Sequence, residues 1–301
     1  MIKIVTDSVA SIPADMLREG EVEVVSLYVN HDGVEHVDAS MDVDAFYADI
    51  YQMVDNIPTS SQPSQHVLEE CFHRIAQAGD TLLGIFVSSG LSGTFDGVAR
   101  AARCVKKRIS DFEFALIDSH SCGFDEAWPV LRAATVRKSG RSLRECVEAA
   151  LSGIRSSRFL FTPETLTFLQ KGGRIGTAAA LIGNIIKLSP VLTVIDGKAA
   201  PLATLRSRKK ALSRIVAEFR SDVEHYGLKN LAVHYIGDKT PALEWAHQEI
   251  EPLVLRPVRV IPVSPVVGMH VGPAIGIAYE CEREMPHKFP GMQPSLVYGS
   301  R

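Results

Sequence analysis

Paired cysteines, an unbroken apolar run and an excess of basic charge are all missing from this sequence, and each absence removes a class of protein. The five cysteines, Cys71, Cys104, Cys122, Cys146 and Cys281, are odd in number, widely spaced and without a CxxC pair. Neither a disulfide framework nor a zinc site is therefore expected, and a reducing cytoplasm suits the chain best. The most apolar stretch, 178–195, is interrupted by Asn184, Lys187, Ser189 and Pro190, which makes it a poor membrane span. Met1 to Val5 runs straight into an apparent strand, with no signal-peptide core behind it. A formal net charge of -3 lacks the basic balance of a nucleic-acid binder.

Chemical signatures are scarce as well. No GxxxxGK(S/T) string occurs, no GxGxxG follows a strand, and no His/Cys/Asp/Glu cluster has metal-ligand spacing. His120 and Cys122 have no recognisable oxyanion hole or orienting partner in the string, so they read as a polar turn and a structural thiol. The expectation is a protein without metal, cofactor or catalytic constellation.

What is present describes an ordinary globular protein of one or two domains, 301 residues long with 46% apolar and 22% charged residues. Buried-looking strands at 2–5, 81–87 and 113–117 each end in a Ser/Asp turn before a helix, the pattern of a parallel sheet that binds ligands outside the carboxyl ends of its strands. Asp32-Gly33 and Asp196-Gly197 read as hairpin turns, the second lying where the βαβ pattern gives way to a mixed sheet. The fold class expected is α/β in two domains. Residues 1–157 form a three-layer α/β/α domain with a parallel sheet, 158–281 an α/β domain with a mixed sheet, and 282–301, with three prolines, a tail. A cleft between the domains is the expected binding place.

Two hydroxyl-rich loops stand out, Thr59 to Ser64 and Ser88 to Thr94. Both are placed at helix starts, and both hold more hydroxyls than an N-cap uses. Together they read as a neutral anion site built from Ser60, Ser61, Ser92 and Thr94 beside Gly93. The segment Lys171 to Gly176 has more glycine than a C-cap needs, which points to Gly173, Arg174 and Ile175 as a ligand-lining loop. His270 sits in a glycine-flanked turn able to aim it at a carboxylate. Arg206, Arg208 and the lysines after them stand at the unfavourable end of a helix dipole, as a docking site for an acidic partner would.

These segments, MIKIVTDS, PTSSQPS, SSGLSGT, ETLTFLQKGGRIG, RSRKKAL and GMHVGP, are in the order of the DegV family of bacterial fatty-acid-binding proteins, which the chain resembles over nearly its whole length. The resemblance implies a DegV-like fold with one long-chain fatty acid between the domains. It implies a carboxylate bonded by hydroxyls at Ser60 or Ser61 and Ser92, with His270 nearby. It also implies a carrier that presents the acid to a separate ATP-binding fatty-acid kinase subunit for acyl-phosphate formation and phospholipid synthesis, docking through Arg206 and Arg208. Contact with a membrane would be transient at most. The alternative from another class is an α/β enzyme acting on a small phosphorylated or polar metabolite.

Overall fold

The computed structural model describes residues 1–182, 188–286 and 294–299; Asn184 and Lys187, which break the apolar stretch, and the middle of the expected tail lie outside these. Alternation of short buried strands with amphipathic helices builds the first sheet. Its parallel strands are β1 (Ile2–Asp7), β2 (Val22–Val25), β6 (Thr81–Phe86) and β7 (Phe114–Asp118). β14 (Leu296–Gly299) lies antiparallel along the outer edge of β7, giving the order β14-β7-β6-β1-β2. β6 and β7 are buried almost throughout, as parallel strands covered by helices on both faces must be. Leu296 to Gly299, within the expected tail, thus complete a sheet, with Leu296 and Val297 packing on its two opposite cores.

Residues 28–61 supply a separate antiparallel sheet of β3 (Tyr28–His31), β4 (Val34–Val37) and β5 (Thr59–Ser61), in the order β4-β3-β5. Asp32 and Gly33 turn the β3–β4 hairpin with φ of 50° and 79°, the left-handed pair that matches strand twist. The first hydroxyl run is therefore an edge strand rather than a helix start; the following helix, Gln65–Gln77, is capped by Ser64, whose Oγ accepts from Val67 N–H at 3.3 Å.

The third sheet is mixed and has six strands, β10-β9-β8-β13-β11-β12. These are β8 (Ser157–Pro163), β9 (Ser189–Ile195), β10 (Lys198–Leu205), β11 (Asn230–Ile236), β12 (Arg259–Pro262) and β13 (Ala274–Glu280). Asp196 and Gly197 turn β9 into β10 with φ of 47° and 76°. Thr162 and Pro163, a cap-then-proline pair that would suit a helix start, instead end β8, where they pair with Ile275 and Ala274 of β13; the helix starts at Thr167. The long helix Arg208–Tyr226, capped by Ser207, is pinned to this sheet by a buried cluster. Arg158 Nη1 lies 2.6 Å from Asp222 Oδ2, which also accepts from Tyr279 Oη at 2.5 Å.

Candidate functional site

Two buried carboxylates at the carboxyl edge of the first sheet shape the loops above it. Asp7, the last residue of β1, accepts from Val9 N–H and Val87 N–H, each at 2.9 Å. Asp118, the last of β7, accepts from His120 N–H at 2.8 Å and Ser89 N–H at 3.2 Å. Backbone donors that face outward from strand ends have no ladder partner, so a carboxylate one strand away fixes the loop. Burial pushes Asp7 up to about 7, offset in part by those two N–H groups. Sequence reading placed both acids in polar turns at this edge without giving either a role. Their signal is a strand ending in Asp-Ser, at Thr6-Asp7-Ser8 and Ile117-Asp118-Ser119.

The second hydroxyl loop runs from β6 into the helix Thr94–Arg108. Ser88 Oγ crosses the seam between the large sheets and donates to the Gly197 carbonyl at 2.8 Å. Ser92 Oγ lies 2.8 Å from Thr94 Oγ1 and accepts from Thr94 N–H at 3.3 Å. A Cβ on Gly93 would stand 2.9 Å from Gln62 Oε1, so glycine lets the two hydroxyl segments meet.

Behind that seam is a slot of about 80 Å³, with Ser60, Ser92, Arg174 and His270 among its lining and apolar side chains making up most of the rest. Ser60 Oγ is 3.0 Å from His270 Nε2. Arg174 donates from Nε to the Leu91 carbonyl at 3.2 Å and from Nη1 to the Gly172 carbonyl at 2.6 Å. It thereby ties the glycine-rich loop to the hydroxyl loop. Phe159, Phe161, Val267 and Val271 divide the slot from a smaller cavity of about 10 Å³ that is also lined by His234. Phe159 and Phe161 stack at 5.0 Å, so a long guest must part these side chains to occupy both cavities.

The structure brings Ser60, Ser92, Arg174 and His270 together and leaves the other expected residues outside the slot. Ser61 follows Ser60 on β5, and neighbours on a strand face opposite ways. Thr94 is fully buried and reaches the slot only through Ser92. Gly93, Gly173 and Ile175 support the loops without lining the slot. His270 is carried not by a turn but by the last residues of the helix Pro265–Val271; Gly268 lies inside that helix because the Tyr47 ring packs against it. The site is also not neutral, since the Arg174 guanidinium forms part of its wall. Arg208, half-buried, pairs with Glu164, which also accepts from Tyr51 Oη at 3.3 Å, while Arg206 is exposed. Among the described residues no cluster could hold a metal ion and no helix is long and apolar enough to cross a membrane.

Burial, then the Arg174 charge, pushes His270 down to about 4. Burial pushes His234 down to about 4 as well, although its Nδ1 donates to the Ile261 carbonyl at 2.9 Å. Both rings are neutral at pH 7. Because their folded values lie below the unfolded one, near 6.5, the stability tied to their neutral state is complete above pH 6.5 and drains as pH falls toward 4. In an NMR titration neither imidazole should take up a proton above about pH 5. Resonances moving with a midpoint near 6.5 would contradict the burial described here.

A family model described as an uncharacterised protein of the DegV family matches residues 1–282. A DegV domain-containing protein of Clostridium acetobutylicum is 36% identical over 285 residues, covering 94% of this chain and 99% of its own length. Among solved structures, a Thermus thermophilus DegV family protein described by its fatty acid binding shares 30% identity. Its TM-score is 0.81, with 93% of this chain and 99% of that one covered. DegV of Bacillus subtilis, described as a fatty acid binding protein, shares 27% identity at a TM-score of 0.81 with the same coverage.

Proposed function

Because this chain belongs to the DegV family, we propose that it binds a long-chain fatty acid in the slot and presents the carboxylate to a separate ATP-dependent fatty-acid kinase. The observation that carries the reading is the slot's lining: Ser60, Ser92, Arg174 and His270 supply its polar groups, with Ser60 Oγ 3.0 Å from His270 Nε2, and apolar side chains make up most of the rest. Tail burial supplies about 0.8 kcal/mol per methylene, while the head group must keep hydrogen bonds because an unpaired buried carboxylate is very costly. Ser92 Oγ and the Ser60–His270 pair are donors within the lining, and Arg174 supplies the counter-charge. Phosphorylation would take place on the kinase, so this chain acts as carrier and supplies no transferring group. The exposed Arg206, with Arg208 once released from Glu164, would form the docking face for the kinase, and the acyl phosphate formed there would feed phospholipid synthesis.

Solvent extraction of the purified protein should release one acyl chain per molecule, identified by mass spectrometry. Exchanging Ser92 for Ala, which removes one hydrogen bond to a charged group, should weaken retention by about 1.5–3 kcal/mol. Extracts free of stoichiometric lipid would reject the proposal, and full retention by the Ser92 variant would take that hydroxyl out of the site.

A further inference from the structure

A second cavity, of about 270 Å³, lies where the first sheet, the small sheet and the mixed sheet meet. Its polar lining is made by Asp7, Ser8, Ser11, Asp38 and Ser264, and most of the rest by apolar side chains such as Ile12, Leu17, Met41, Val43 and Ile261. Among the described residues no Lys, Arg or His lines it. Most of the polar atoms are already engaged. Both Asp7 oxygens hold backbone N–H groups, Ser8 Oγ accepts from Leu27 N–H at 3.0 Å, and Ser11 Oγ donates to the Val9 carbonyl and accepts from Ser264 N–H at 2.9 Å.

Two are not. Asp38 is 3% exposed and Ser264 7% exposed, yet among the described residues no group meets Asp38 Oδ2 or Ser264 Oγ in full hydrogen-bond geometry, the Ser8 and Ser264 hydroxyls only lying near enough to act on the carboxyl. Asp38 Oδ1 is held by Val266 N–H at 3.0 Å. Burial raises the Asp38 carboxyl, and the nearby hydroxyls of Ser8 and Ser264, with that N–H, offset it only in part. A buried acceptor left open costs about 1–3 kcal/mol. An apolar pocket with a few convergent polar groups is the ordinary form of a small-molecule site.

We propose that this junction cavity is a second binding site, taking a small primary ammonium with a short aliphatic body. A carboxylate oxygen only accepts, so the guest must bring N–H donors. With no basic side chain among the described lining residues, a positive charge on the guest is favoured, and the apolar part of the lining accommodates a few methylenes. The site is separate from the slot: the backbone around Val9, Leu27, Val87 and Val266 forms the wall between them. It therefore stands whichever molecule fills the slot.

The test uses the full chain and n-butylammonium chloride against sodium chloride at matched concentration. Saturation-transfer NMR should show the butyl protons in contact with the protein, and the thermal midpoint should rise. Tetramethylammonium, which carries no N–H, should do neither. Asp38→Asn should weaken binding about tenfold or more, and Ser264→Ala by a smaller factor. Should Asp38→Asn fail to fold, Ala39→Phe at the exposed rim blocks the entrance and should abolish the signal. Absence of saturation in the unaltered chain, an equal response to tetramethylammonium, or saturation that survives both Ser264→Ala and Ala39→Phe overturns the proposal and leaves the cavity to water.

Discussion

Asp222→Ala should lower folding stability by about 3–5 kcal/mol, measured as a fall in the urea midpoint with an unchanged slope. The size follows from what is left behind. Arg158 is 7% exposed and lies 2.6 Å from Asp222, and Tyr279 Oη donates to the same carboxylate oxygen. Removing the acid strands a guanidinium whose other acidic contact, Glu218 at 3.4 Å, is longer, and it leaves a phenol donor without its acceptor. A buried charge without a partner costs far more than the pair contributes when intact. Replacing Arg158, Asp222 and Tyr279 together by Met, Leu and Phe should recover much of the loss. If Asp222→Ala alone shifts the midpoint by less than about 1 kcal/mol, water reaches Arg158 and the cluster is not sealed.

Arg174→Ala should weaken fatty-acid binding about tenfold to a hundredfold in a competition assay with a fluorescent fatty acid, on the proposed reading of the slot. Hydrogen bonds to charged groups contribute about 1.5–3 kcal/mol, and each 1.4 kcal/mol is a factor of ten. Arg174 also bridges the Leu91 and Gly172 carbonyls, so its loss loosens the contact between the two loops. Arg174→Lys separates these contributions: a lysine keeps the charge but not the planar fork that reaches both carbonyls, and should fall between the two. Wild-type affinity in both variants would mean that the head group does not meet the guanidinium.

The sheets were legible in the sequence where one residue pattern had one physical solution. Short buried runs ending in Asp-Ser turns gave β1 and β7, a run ending in Ser88-Ser89 gave β6, and the two Asp-Gly pairs gave hairpins because both residues need left-handed backbone. Ser92, His270 and Arg174 stood out because hydroxyls, a lone histidine and surplus glycine are costly to place without purpose. What failed was orientation. Ser60 and Ser61 are equivalent as a hydroxyl pair, and only strand register separates the one beside His270 from its neighbour. Gly268 reads as a turn until the Tyr47 ring packed against it explains a glycine inside a helix. The charge of the site was misjudged because Arg174 is distant in sequence from both hydroxyl segments. Asp7 and Asp118 were legible only as members of polar turns, because a carboxylate bonded to backbone leaves no more than an unremarkable Asp-Ser in the string.

β14 sets an order on synthesis. β1, β6 and β7 are all made before the strand that covers β7, which comes well after them in the chain. Until then the edge formed by Phe114 to Asp118 presents open N–H and C=O groups, a template for pairing with another nascent chain. A message cut short before Leu296 would yield a product with that edge bare, and inclusion bodies are its natural fate. The fit of β14 is narrow, for Gly299 lies against the Phe114 ring with no room for a side chain; one missense codon there would hold β14 off the sheet.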